Sequence, residues 1–129
     1  MTVGAWFTAS LVVTVLLLVG VLVTGLRALR KRHLTLVALT IVSLVVTIYW
    51  AERLGRLYDL DAAGRIKPIH LALAKTAALS YLLPIGTGIA TLKRPRFRSL
   101  HRKAAFLVVG LTLAAFVTGT WMMLGARPL

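Results

Sequence analysis

Four long apolar runs, parted by short polar stretches, organise the chain. They lie at about Ala5–Leu26, Leu34–Ala51, Ile69–Leu92 and Ala104–Leu124. Crossing roughly 30 Å of hydrocarbon takes about 20 predominantly apolar residues. The shortest run still reaches about 27 Å at the helical rise per residue. The ten-residue alternation of a membrane β-barrel is absent. In the first run the cations follow the apolar stretch, the reverse of a cleaved leader, so it reads as a retained span. Short connections make neighbouring helices antiparallel, and each helix satisfies its own backbone. The pattern predicts an all-α, membrane-spanning, up-down four-helix bundle in one domain over residues 1–129. Pro84, within "YLLPIGTG", removes a backbone donor and predicts a kink in the third helix. Gly20, Gly86, Gly88, Gly110 and Gly119 are predicted to permit close helix approach, with no clean GxxxG pair among them.

Composition sharpens this picture. Of 129 residues, 59 % are hydrophobic and 15 % charged, too apolar for a soluble domain of this size. The formal net charge of +13 would suggest nucleic acid in a soluble chain. Here the cations sit in short loops beside apolar runs, so a lipid bilayer is the expected partner and nucleic acid is not. No cysteine is present, which removes disulfides, thiolate zinc sites and thiol catalysis.

The cations also set an orientation. Arg27, Arg30, Lys31 and Arg32 follow the first run; Lys93, Arg94, Arg96, Arg98, Arg102 and Lys103 precede the last. All three acids, Glu52, Asp59 and Asp61, lie between the second and third runs. The positive-inside rule then places loops 27–33 and 93–103 in the cytoplasm beside lipid headgroups, with both termini outside a bacterial cytoplasmic membrane. Trp6, Tyr49, Trp50 and Trp121 fall at the outer interface, where amphipathic rings settle.

Candidate chemistry is sparse. His33, His70 and His101 each stand at the start of a span. His33 and His101 share the cytoplasmic side at matching depth, and imidazole nitrogen ligates haem iron, copper or zinc. The competing reading is three ordinary interfacial side chains. His70 belongs to the opposite side, so no single site uses all three. Lys75 is the one charge inside an apolar run, with Glu52 its nearest plausible counter-charge; an intramembrane ion pair and outward snorkelling are equally open. No phosphate-binding loop, GxSxG, HExxH or intramembrane carboxylate pair occurs, so no catalytic residue is assigned and enzymatic activity is not expected.

The stretches "RKRHLTLVALTIVSLVVTIYWAERLG", "YLLPIGTGIATL" and "HRKAAFLVVGLTLAAFVTGTWMML" resemble a family of small bacterial membrane proteins, domain of unknown function 420. The likeness covers residues 27–125 and rests on Arg32-His33, His101-Arg102 and Thr118-Gly119. It implies an accessory or maturation role for a haem–copper respiratory oxidase, with haem or copper and an oxidase subunit or its assembly machinery as partners. An alternative within the same chemistry is a b-type electron carrier using His33 and His101; a third reading is a purely structural, lipid-binding bundle. One departure stands out. The family's mid-span histidine falls near Lys75 here, whereas the actual histidine is His70. The tyrosine that follows Thr-Gly in relatives is replaced by Met122 or Met123.

Overall fold

The computed structural model describes residues 1–129 and divides into two helical units, Met1–Tyr58 with Leu129, and Asp59–Pro128. The chain is all-α, with four passes long and apolar enough to cross a membrane. It is a small multi-pass integral membrane protein.

The first unit is a hairpin of α1 (Val3–Leu26) and α2 (Arg30–Gly55). Thr2 caps α1, its Oγ1 accepting the Ala5 amide at 3.2 Å. The other end of α1 closes as a Schellman motif. The Leu29 amide donates to Thr24 O at 2.9 Å and the Ala28 amide to Gly25 O at 3.2 Å. Ala28 thereby takes a positive φ of 54°, a position glycine fills more cheaply.

The packing of this hairpin inverts that of a soluble protein. Thr14, only 3 % exposed, faces inward while Leu16 is 66 % exposed and Val42 63 %. Thr14 Oγ1 lies 2.7 Å from Ser43 Oγ and 2.8 Å from Thr47 Oγ1. In hydrocarbon, outward leucine loses nothing, and small polar side chains become the interhelical glue. At the open end Trp6 stacks on Trp50 with centroids 5.7 Å apart, and Tyr49 meets Trp50 edge-on at 5.2 Å.

The second unit begins with a one-turn 3₁₀ segment, Leu60–Ala63, and Gly64 at φ 65°, where a side chain would be strained. Helices α3 (Ile66–Ser80) and α4 (Leu82–Lys93) then pack in series along α5 (Arg98–Gly125). At the kink expected from Pro84 the helix has a one-residue break, Tyr81, whose backbone stays right-handed helical at φ −60°, ψ −23°. Pro84 has no amide for the Ser80 carbonyl, and its ring crowds that oxygen, so the helix restarts one residue later. Tyr81 ties the break to α5: its hydroxyl lies 3.0 Å from Thr112 Oγ1. Thr112 Oγ1 also lies 2.8 Å from Val108 O, so with its hydrogen there it accepts from Tyr81.

Two expectations are corrected. The helices run past the apolar runs, so Arg30, Lys31, Arg32, Arg98, Arg102 and Lys103 are helical rather than loop residues. Arginine and lysine are good helix formers, and nothing compels a helix to stop where the hydrocarbon stops. Of the glycines, Gly20, Gly88 and Gly119 do allow close approach, but a Cβ on Gly86 or Gly110 would meet nothing within 4 Å.

Candidate functional site

All three histidines occupy the same local arrangement. Each leaves its own helix and lies against a Thr-Gly pair on the antiparallel neighbour within its own unit. His33, the fourth residue of α2, meets Thr24-Gly25 at the end of α1. His101, the fourth residue of α5, meets Thr87-Gly88 in the middle of α4. His70, in the second turn of α3, meets Thr118-Gly119 near the end of α5.

The glycine makes room for the ring. A Cβ there would stand 3.1 Å from His33 Cε1, 3.2 Å from His101 Cε1 and 2.8 Å from His70 Cε1. The threonine fixes Nδ1. Thr87 Oγ1 donates its hydrogen to Leu83 O at 2.7 Å and lies 3.2 Å from His101 Nδ1. With its hydrogen on Leu83 O, its oxygen is free to accept from Nδ1–H. Thr118 repeats this, donating to Ala114 O at 2.8 Å with His70 Nδ1 at 3.2 Å. For His33 the assignment follows from a carbonyl, since Nδ1 is 3.0 Å from Val21 O, which has no proton to give. Thr24 Oγ1 stands farther off at 3.5 Å. In each ring Nδ1 is the nitrogen paired with the neighbouring helix. A second nitrogen held by a hydrogen bond is the arrangement that orients metal-bound histidines.

The three presentations are not identical. From the glycine's Cβ position, Nε2 lies 4.0 Å away in His33 and 3.9 Å in His101, with the Nδ1–Cε1 edge turned inward. In His70, Nε2 at 3.4 Å is nearly as close as Nδ1 at 3.3 Å, so the ring is pressed end-on into the glycine. His70 and His101 also sit at opposite ends of their unit. The 17 residues of α5 from His101 to Thr118 span roughly 26 Å. They cannot share one ligand.

Lys75 is exposed on α3, and Glu52 is exposed near the end of α2 in the other unit. The ion pair within the second unit joins Lys67 Nζ to Asp61 Oδ1 at 2.6 Å. The resemblance had left open whether Lys75 replaces the family's histidine; the residue held by Thr118-Gly119 is His70. The cations of the two basic turns are all exposed, and no acid lies in either turn. Sequence reasoning missed Thr24-Gly25 and Thr87-Gly88. A signal existed: the chain holds three Thr-Gly dipeptides and three histidines, paired one to one.

Comparison with protein-family models, curated proteins and solved structures finds no match to this chain.

The donor chemistry distinguishes a bare ion from haem. In neither unit do three His, Cys, Asp or Glu side chains gather to hold a metal ion. Zinc or copper held by protein alone needs three or four ligands. Haem brings four nitrogens of its own and asks the protein for one or two axial ligands.

Proposed function

We propose that this is a non-enzymatic haem-handling protein of the bacterial cytoplasmic membrane, with His33 and His101, each on its own hairpin, as haem ligands. The observation that supports it most is the matched presentation of these two imidazoles. Two hairpins with different turns each set the ring against a glycine and pair Nδ1 with an oxygen of the neighbouring helix. When bound, haem supplies an iron centre for storage, delivery or electron transfer. The chain's part is to orient the nitrogen and to keep water from the helix interior. The likeness to the domain of unknown function 420 family adds the process, assistance to the maturation of a haem–copper oxidase. The basic turns are proposed to face the cytoplasm.

Absorbance of the purified full-length protein after haem loading tests this. The expected result is a Soret band with low-spin features that is lost or shifted in both His33→Ala and His101→Ala and kept in His70→Ala. A protein that takes up no haem contradicts the proposal. Deleting the gene and finding oxidase haem content unchanged contradicts the maturation role alone.

A further inference from the structure

Two glycines of the second unit are left without a packing role. A Cβ on Gly86 or Gly110 would meet nothing within 4 Å, although both lie inside helices, where glycine is the least favourable residue after proline. Gly110 stands in an exposed row along α5. Residues three and four apart share a helix face, so the row runs Arg98, Arg102, Phe106, Gly110, Leu113 and Val117. All six are exposed, Phe106 by 51 % and Leu113 by 60 %. The row is two guanidiniums followed by an apolar strip with a notch in it, Phe106 on one side and Leu113 on the other. By the helical rise, the notch lies about 12 Å along the axis from Arg102. The α4 face repeats the pattern in brief: Lys93, Ile89, Gly86 and Leu82 are all exposed. Gly86 lies about 10 Å along that axis from Lys93.

The first unit provides a contrast, a basic turn without notches. A Cβ on Gly20 would stand 3.1 Å from Leu36 Cδ1, and one on Gly25 3.1 Å from His33 Cε1, so the partner helix fills both places. Charge also separates along the second unit. Its acids, Asp59 and Asp61, precede α3, at the end where a Cβ on Gly125 of α5 would stand 3.2 Å from Ala63 Cα. Asp61 there already holds Lys67 at 2.6 Å. Lys93, Arg94, Arg96, Arg98, Arg102 and Lys103 gather at the other end of α5, with no acid among them or in the first turn of that helix. An anion that carries long apolar chains suits both halves of the row.

We propose that the turn end of the second unit binds an anionic phospholipid, its phosphodiester on Arg98 and Arg102 and an acyl chain along α5 across Gly110. Guanidinium pairs with phosphate oxygens through charge-assisted hydrogen bonds. The bare glycine lets chain carbons reach the helix backbone, a dispersion contact that a side chain there would deny them. A zwitterionic headgroup brings its own cation to the basic turn and is disfavoured. The site uses neither His33 nor His101 and stands apart from the haem reading.

The test reconstitutes the full-length protein in nanodiscs of mixed phosphatidylglycerol and phosphatidylcholine. The protein is then released into mild detergent, and native mass spectrometry counts the lipid it retains. The wild type should keep phosphatidylglycerol in clear excess over phosphatidylcholine. Arg98→Gln combined with Arg102→Gln should lower that occupancy about fivefold or more, fivefold being the scale of one lost surface cation. Gly110→Leu keeps every charge and fills the notch, so it should lower occupancy by a similar factor, with elution volume and helical content unchanged. Gly110→Ala, a smaller filling, should fall between. Arg27→Gln combined with Arg30→Gln removes as much charge from the other hairpin and should leave the lipid in place. A wild type that keeps no phosphatidylglycerol, or keeps both lipids equally, overturns the proposal. So does full retention by Gly110→Leu, or an equal loss in the Arg27 and Arg30 variant, since either result reduces the effect to general attraction between basic turns and headgroups.

Discussion

The two hairpins solve the same packing problem with different parts. In the first, one uninterrupted helix lies against another, and the middle is held by the Thr14, Ser43 and Thr47 hydroxyls. In the second, continuous α5 faces a partner broken at Tyr81, and a single Tyr81–Thr112 pair spans the middle. Their open ends differ too, a Trp6–Trp50 stack in one and the His70 cradle in the other. Only the turn ends agree. The connections there are unequal, eight residues from Gly25 to His33 and thirteen from Gly88 to His101. One ends in a Schellman turn, the other in a short 3₁₀ segment. Unequal turns that set the ring at the same distance from glycine mean that this contact belongs to the glycine and histidine pair, not to the loop that joins them.

The strongest way to break that comparison is to fill the glycines. Gly119→Ala would put a Cβ 2.8 Å from His70 Cε1, a distance the ring cannot accept in place. Overpacking of this kind costs about 1–3 kcal/mol. Thermal unfolding in detergent should show that loss, and His70→Ala should recover much of it, because the two sites share one contact. Gly25→Ala and Gly88→Ala, at 3.1 and 3.2 Å from their rings, should cost less than Gly119→Ala and about the same as each other. Unequal costs at those two positions would end the equivalence of the turn-end cradles.

Ala28→Gly tests the first turn in the opposite direction. Relieving the left-handed alanine should stabilise the protein by about 1 kcal/mol. Thr14→Val keeps the shape and removes the shared hydroxyl, so a loss of about 0.6 kcal/mol is expected, the usual scale for a membrane hydrogen bond. Gly110→Ala, with open space around the new methyl, should leave unfolding within about 0.5 kcal/mol of the wild type.

The span count, the helical class and the interruption near Pro84 were legible in the sequence because each follows from a local rule. Run length sets a span, and a missing amide breaks a helix. The helix ends were less legible, since Arg30–Arg32 and Arg98–Lys103 are polar by composition yet helical by propensity. His33 and His101 stood out as rare polar residues at matching depth. Their partners did not, because threonine and glycine are ordinary in membrane helices and the pairing runs between helices. Nothing local to residues 24–25 or 87–88 announces an imidazole. Register decides it, and register is a property of the packed hairpin.

The central claim is that an oxygen of the neighbouring helix pairs with Nδ1 of each histidine, Val21 O for His33, Thr87 Oγ1 for His101 and Thr118 Oγ1 for His70. Nitrogen NMR of the protein labelled at histidine, in a bilayer, reads this directly. The account predicts a hydrogen-bonded Nδ1 in all three rings, carrying the proton in His33 because a carbonyl can only accept. It predicts that Thr87→Val, which removes one partner, perturbs His101 alone. An unprotonated, pyridine-type Nδ1 on His33 would contradict it.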